Sequence, residues 1–333
     1  MSSDFNIVMA TFTQSAKSSS DWTFNKLMAY NVTILPTPPG QFCPAVGPSL
    51  DNTNPTILNS PLGNASPSLI QSAKSSSDWT SNNLDAYNIT IQPTPPDKFF
   101  SAPDPSLDHI DPAILSSPLD DTDPSLPVVT SAYLNHLYLA ARVTQENFID
   151  DFTTKTLNLL GFNGRHSLVV QHHTIPLSIC GDTNHATQMD VCLLHTQFLV
   201  PLLLVKCKTI SDRGSPRAQV VAQAIAAFQL SNQRREICGL PRLDTITIPC
   251  ITMVGTRPTF YLVPVTETLS NAAISGQYPA TRTEVLECVT VPAHGWDADA
   301  GMEDTGYRKL ALRRFLAFKT LAESHWRRVL EEV

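Results

Sequence analysis

Two neighbouring apolar segments in the second half of the chain constrain its fold more than any other feature. Segments 189–194 and 199–206 are almost entirely apolar and are predicted to form strands buried on both faces. Charged residues nevertheless accompany them, with Asp190 near the start of the first and Lys206 and Lys208 at the end of the second. Alternate residues of a strand share a face, so the two lysines are expected side by side. We expect Asp190 to pair with one of them, because an unpaired buried charge is costly.

Further elements on either side complete an α/β pattern. Apolar periodicity and turn residues predict helices over 143–160, 215–230 and 304–330, and further strands over 167–171, 246–254 and 259–265. The order α, β, β, β, α, β, β, α predicts a small mixed central sheet flanked by helices. The basic residues of the last helix, Arg308 among them, are expected on its solvated face.

The first 126 residues have a different composition. They contain twelve Asp, four Lys and neither Glu nor Arg, a balance of −8, whereas residues 127–333 have a balance of +1. Pro, Ser, Asn and Asp dominate this part, and such a segment buries too little apolar surface to offset its ordering entropy. We therefore predict a low-complexity, largely irregular acidic arm over 1–126 and an α/β domain over 127–333.

An internal duplication runs through the arm. Residues 14–69 match residues 71–126 at a constant offset of 57, with 36 of 56 positions identical. Each copy carries one tryptophan, Trp22 or Trp79, in the shared segment QSAKSSSDWT. Two copies are too few for a self-supporting solenoid. Two interpretations stay open: either the tryptophan segments dock on a partner protein or on the body of this chain, or the duplication left one copy idle.

Composition also indicates a compartment. The start of the chain lacks a basic region followed by a sustained apolar segment, which argues against a secretory signal. No apolar stretch approaches the roughly 20 residues that a membrane helix needs. The seven cysteines form an odd set without a close Cys-x-x-Cys pair, which is typical of reduced core thiols. We expect an intracellular protein, cytoplasmic or nuclear, that makes no membrane contact.

The element order, with Asp190 on one strand, Lys208 ending the next and a glutamine-bearing helix after it, resembles the PD-(D/E)XK nuclease-like superfamily. Three segments are similar to an uncharacterised group of fungal intracellular proteins with that core: ICGDTNHATQMDVCLL (179–194), AQVVAQAIAAFQ (218–229) and PCITMVGTRPTFYLVPV (249–265). The Trp22 and Trp79 segments resemble the N-terminal arm of the same group. The resemblance covers most of residues 130–323 and implies a restriction-endonuclease-like core.

The resemblance implies a metal site that this chain does not complete. In active members, an Asp on the second core strand and a Glu two positions before a Lys on the third converge on Mg²⁺. Asp190 and Lys208 match the Asp and the Lys, but Lys206 stands at the Glu position. Mg²⁺ is a hard cation that needs oxygen ligands. The catalytic motif is therefore degenerate, and no cofactor is expected.

Three functions follow as hypotheses. The first is a catalytically inactive nuclease-like protein with a binding or scaffolding role, in which Lys206, Gln219 and Gln223 are candidates for contacting a nucleic acid. The second is a weak Mg²⁺-dependent nuclease, a metal-dependent phosphodiesterase that adds Glu146 or Asp151 to Asp190. The third is a protein-interaction module that acts through Trp22 and Trp79. The sequence favours the first, a pseudoenzyme, over an enzyme.

Overall fold

A seven-stranded mixed sheet lies at the centre of the computed structural model, which describes residues 75–100, 104–119, 124–142, 144–212, 214–291 and 301–330. The strands are β1 (Ile89–Pro93), β2 (Ser167–Ile179), β3 (Asp182–His195), β4 (Val200–Lys208), β5 (Thr245–Val254), β6 (Arg257–Thr266) and β7 (Thr283–Val289). The helices are α1 (Ser81–Ala86), α2 (Pro96–Phe99), α3 (Pro112–Ser116), α4 (Val128–Arg142), α5 (Glu146–Leu159), α6 (Pro216–Ile237), α7 (Glu267–Ser275) and α8 (Thr305–Leu330).

The strand order is β1-β7-β6-β5-β4-β3-β2. Strands β1 and β7 are parallel, as are β4 and β5, and the other neighbours are antiparallel. Helix α6 connects β4 to β5, since two parallel strands need a crossover between them. The mixed sheet with flanking helices confirms the predicted α/β class.

Local signals explain where several elements begin and turn. Helix α6 begins after Ser215, whose hydroxyl accepts a hydrogen bond from the Ala218 amide, and Pro216 occupies its first turn. Strands β2 and β3 form a long hairpin whose two-residue turn, Cys180-Gly181, has positive φ at both positions. Such a turn matches the twist of the strands that it joins. The hairpin extends well beyond the two short strands that the apolar pattern predicts.

Two hydrophobic cores form on the two faces of the sheet. Along β4, Leu203 and Val205 belong to one core, and Leu204 between them belongs to the other. Helices α4, α5 and α8 contribute to the first core, for example through Phe152 and Phe315, while α6 and α7 contribute to the second. Strand β4 is therefore buried on both faces, as its continuous apolar sequence predicts.

The second repeat copy joins this sheet. Its strand β1 forms one edge of the sheet and pairs in parallel with β7. Trp79 is 1% exposed and stacks on Tyr87 with ring centroids 5.2 Å apart. The expectation of a largely irregular arm therefore fails for this part of the chain, because the composition argument overlooked a few large aromatic anchors. The first copy, with Trp22, lies outside the described residues.

Within the α/β domain, three elements are absent from the sequence-based expectation: α4, α7 and β7. Strand β7 has the sequence TEVLECV, and its two glutamates hide the apolar alternation. One of them, Glu287, is 2% exposed and pairs with the Arg217 guanidinium at 2.7 Å. A buried, paired glutamate in a strand leaves no recognisable signal in the sequence.

The prediction that Arg308 lies on the solvated face of the last helix is wrong. This residue is fully buried, and its guanidinium donates hydrogen bonds to four backbone carbonyls, those of Met302, Glu303, Ile114 and Ser117, at 2.7 to 3.2 Å. Burial lowers its pKa from the ordinary value. Arg308 thereby joins the end of α3, which belongs to the second repeat copy, to the start of α8.

Replacing Arg308 should test this junction. We expect Arg308→Met to lower the free energy of unfolding by about 3 kcal/mol or more, because four carbonyls lose a charged donor at once. Urea unfolding at pH 7 measures the change. Arg313→Met is the matched control, since Arg313 lies on the same helix and is exposed, and it should change stability by less than about 0.5 kcal/mol. Equal effects of the two substitutions would contradict this role.

Candidate functional site

The candidate site lies where β3 and β4 separate. Their ladder ends at the pair Val191 and Val205, one residue short of Asp190. Beyond it, the Asp190 side chain replaces a backbone partner, and its Oδ2 accepts a hydrogen bond of 2.7 Å from the Cys207 amide. The carboxylate is thus fixed in the gap between two strands and does not project into solvent.

Lys206 lies directly against this carboxylate. Its Nζ is 2.8 Å from both Asp190 oxygens, and the two side chains are only 11% and 13% exposed. The expected ion pair is present, and Lys206 is the lysine that makes it. Because the two charges are close together and largely shielded from solvent, each compensates the other. Removing one partner would leave the other charge buried and uncompensated.

Lys208 makes a separate ion-pair cluster. Its Nζ is 2.9 Å from Glu146 Oε1 at the start of α5 and 2.7 Å from Asp212 Oδ2 in the loop after β4. Burial disfavours the charge on Lys208, but the hydrogen bonds to Asp212 and Glu146 outweigh it and raise its pKa. The same contact with Lys208 lowers the pKa of Asp212. The Glu146 carboxylate is therefore paired with the Lys208 ammonium.

Asp150, one helical turn after Glu146, is the second acid of the Asp190 site. Ligand atoms of Asp150, Asp190 and Cys207 lie within 4.8 Å of one another. Asp150 is 4% exposed, and its Oδ1 has no hydrogen-bond partner among the described residues. Burial first, and then the nearby charge of Asp190, raise its pKa to about 6.

The expectation that Asp151 adds to Asp190 needs correction. The Asp151 carboxylate accepts a hydrogen bond of 3.1 Å from Gln171 Nε2 on β2, and its neighbour Asp150 is the residue that approaches Asp190. Adjacent residues of a helix point about 100° apart, so only one of them can face the sheet. The periodicity of the apolar residues Ile149 and Phe152 could have identified Asp150 as that residue.

The donor set around Asp190 does not fit Mg²⁺. That ion prefers carboxylate and water oxygens in octahedral geometry. Here one carboxylate is neutralised by Lys206, the other has a pKa of about 6, and the third group is the soft sulfur of Cys207. Burial raises the pKa of the Cys207 thiol well above its usual value, which keeps it protonated.

The two helix glutamines also have structural partners. Gln219 and Gln223 are 5% and 1% exposed. Gln219 Nε2 donates to the Ser77 carbonyl at 2.7 Å, and Gln223 Nε2 donates to the Gln188 carbonyl at 3.0 Å. These two candidates for nucleic-acid contact are therefore buried, with their amide nitrogens bonded within the chain. Their partners are the second repeat copy and strand β3, which no sequence pattern indicated.

Comparisons with known proteins add no identification: neither protein-family models nor curated proteins match this chain. The resemblance to PD-(D/E)XK nucleases therefore stays a prediction. Within the part of the chain that the structure describes, no helix is both long enough and apolar enough to cross a bilayer.

The raised pKa of Asp150 predicts a pH-dependent effect of its removal. A carboxyl whose pKa rises from 3.8 in the unfolded chain to about 6 on folding destabilises the fold as pH rises through that window. We expect Asp150→Asn to stabilise the protein at pH 7 by up to about 3 kcal/mol and to have little effect near pH 4.

Urea unfolding at the two pH values measures this difference. Asp151→Asn is the matched control, because it makes the same chemical change on the adjacent residue and keeps an acceptor for Gln171. It should give the same small effect at both pH values. A pH-independent effect of Asp150→Asn would contradict the burial and charge argument.

Proposed function

We propose that this protein is a non-cleaving binding or scaffolding protein built on a nuclease-like α/β core. One observation carries the proposal: the Lys206 ammonium contacts both oxygens of Asp190 at 2.8 Å. In the metal-dependent arrangement that the sequence resembles, those oxygens would serve a divalent cation. Lys206 supplies a fixed positive charge in its place.

Electrostatics explain why a divalent ion would not share this position. A cation held by Asp190 would lie within about 4 Å of the ammonium, and at an effective dielectric constant near 20 each unit of like charge costs roughly 4 kcal/mol at that distance. Asp150 offers only partial compensation near neutral pH, since its pKa is about 6. The charge of Asp190 is therefore compensated within the chain, by Lys206 and the Cys207 amide, without an ion.

The residues suggested for a weak nuclease have other roles. Glu146 is bound by Lys208 and Asp151 by Gln171, so neither supplements Asp190. The residues suggested for nucleic-acid contact are likewise buried and bonded within the chain. Since the side chains around Asp190 are occupied within the chain, we expect a partner to bind at other surfaces of the protein.

A specific observation favours protein interaction as the kind of binding. The segment around Trp79 docks on a protein surface, that of its own body, and buries its indole almost completely. The first repeat copy carries the same QSAKSSSDWT sequence with Trp22. The first copy is therefore a second sequence with the anchors that bury against a protein surface, and it is the proposed docking motif.

Restoring an acid at position 206 tests the proposal. We expect Lys206→Glu to create a site for Mn²⁺ or Mg²⁺, because a third carboxylate would then join Asp150 and Asp190 in the absence of the ammonium. Isothermal titration calorimetry should give a dissociation constant of about 1 mM or tighter for the variant and no saturable binding for the natural protein.

Lys206→Gln is the matched control, because it removes the ammonium without adding a carboxylate, and it should bind these ions at least about tenfold more weakly than Lys206→Glu. Circular dichroism establishes that both variants are folded. Cleavage of DNA or RNA by the natural protein with Mg²⁺ or Mn²⁺, abolished by Asp190→Asn, would contradict a non-cleaving function.

A further inference from the structure

The second repeat copy occupies a defined surface of the body. We call segment 75–91 the plug and the surface beneath it the socket. Two polar contacts hold the start of the plug: the Ser76 hydroxyl bonds that of Thr187 on β3, and Gln219 Nε2 on α6 donates to the Ser77 carbonyl at 2.7 Å. Both socket residues are nearly fully buried.

Two further polar contacts hold the end of the plug. The Tyr87 hydroxyl lies 3.5 Å from Cys180 Sγ in the β2–β3 turn. Asn88, which has a positive φ of 53°, donates from Nδ2 to the Pro279 carbonyl at 3.2 Å. Asparagine tolerates this left-handed conformation better than most residues. The plug is thus fixed at both ends by bonds that depend on particular side chains.

Apolar anchors also hold the plug in place. The plug buries four large side chains in the core on the α6 face of the sheet, where they are 1% to 7% exposed: Trp79, Leu84, Tyr87 and Ile89. Burial of each is typically worth about 1.5 to 3 kcal/mol. The plug is therefore an integral part of this core.

The first repeat copy keeps the residues that make these contacts. At the offset of 57, segment 18–34 corresponds to the plug. Every plug residue whose side chain bonds or packs against the socket is identical in the two copies, except that Val32 replaces Ile89. Lys26 replaces Asn83, whose side chain bonds only to Thr80 within the plug. The remaining differences are Phe24, Lys26 and Met28, which replace Ser81, Asn83 and Asp85, none of them buried.

The chain therefore contains two plug sequences and, in the described structure, one socket that already holds a plug. We propose that the two copies compete for this socket within one chain, so that segment 18–34 is able to replace segment 75–91. The tether favours exchange within the chain, since a linked segment has a high effective concentration at the socket. Extending a surface loop by one repeat length adds only a slowly growing entropic cost.

The second copy holds the socket in the structure because of residues downstream of the plug. Phe100 and Ile110, 5% and 3% exposed, pack in the other core, and the first copy has Cys43 and Thr53 at these positions. The Asp111 carboxylate caps α3 by accepting from the Ala113 amide, and its counterpart is Asn54. The first copy shares the plug and lacks these two apolar contacts.

Exchange would release the Trp79 segment as a docking motif for another protein. This consequence rests on the proposed binding function, whereas the exchange itself does not. The plug contacts Gln219 and lies against β3 at Thr187, three residues from Asp190. Its removal would therefore expose Thr187 and Gln219.

Site-specific crosslinking tests the exchange. Ser76 contacts Thr187, so Ser76→Cys with Thr187→Cys should form a disulfide in the full chain and serves as the positive control. Ser19→Cys with Thr187→Cys forms the equivalent disulfide only when the first copy occupies the socket. Peptide mass spectrometry after a fixed, short oxidation identifies each disulfide among the natural cysteines.

The decisive variant adds Trp79→Ala to the Ser19→Cys, Thr187→Cys chain. Loss of a buried tryptophan should shift the ratio of the two docked copies by about a hundredfold or more towards the first. We expect the Trp79→Ala chain to form much more of the disulfide between positions 19 and 187 within monomers than the chain that keeps Trp79. Adding Trp22→Ala should abolish this increase. An absence of crosslinking in the folded Trp79→Ala chain, or crosslinking only between two chains, would overturn the proposal.

A second variant keeps the test informative if Trp79→Ala does not fold. Deleting residues 70–126 joins Leu69 to Pro127, as Leu126 is joined in the natural chain, and leaves the first copy as the only plug. This chain should fold and form the Ser19→Cys, Thr187→Cys disulfide. Deleting residues 14–70 is the matched control. A deleted chain that fails to fold, or folds without this disulfide, would show that the first copy cannot occupy the socket.

Discussion

The ion pair between Lys206 and Asp190 governs the architecture of the sheet centre. Strands β3 and β4 are apolar and buried on both sides, and they can carry a carboxylate only if its charge is compensated. The ammonium of Lys206 and the amide of Cys207 together provide that compensation at 2.8 and 2.7 Å. The two strands separate at this point because the carboxylate takes the place of a backbone partner. Asp150 then lies against the pair with a pKa of about 6.

The repeat arm and the body form one folded unit over the described residues of the second copy. The plug packs in the core on the α6 face of the sheet, whereas α2 and α3 pack in the core on the other face. Arg308 on α8 donates a hydrogen bond to a carbonyl of α3. A composition dominated by Pro, Ser, Asn and Asp predicts little of this, because a few well-spaced aromatic and aliphatic anchors suffice when a large body receives them. Gln219 and Gln223 of α6 donate hydrogen bonds to carbonyls of the plug and of β3.

Much of the α/β domain could be predicted from the sequence, since long periodic segments carry their own signal. The buried strands at 189–194 and 199–206 and the helices at 143–160, 215–230 and 304–330 all correspond to observed elements. Prediction failed where charge and burial coincide, as at Glu287 and Arg308, because a buried charged residue resembles a surface residue in sequence. At the site, the expected ion pair between Asp190 and one of the two lysines is present, whereas the sequence could not decide which of the adjacent acids Asp150 and Asp151 approaches Asp190.

The sequence by itself determined the α/β class, the duplicated arm and the lack of an acid at position 206, because periodicity, repetition and residue identity are local properties. Only the tertiary structure decided which partner each charge takes. Lys206 binds Asp190 while Lys208 binds Glu146 and Asp212, and the difference depends on where α5 and the loop after β4 lie. The tertiary structure likewise decided that Trp79 fills a core of its own chain, since contacts between distant segments arise from packing and leave no local signal.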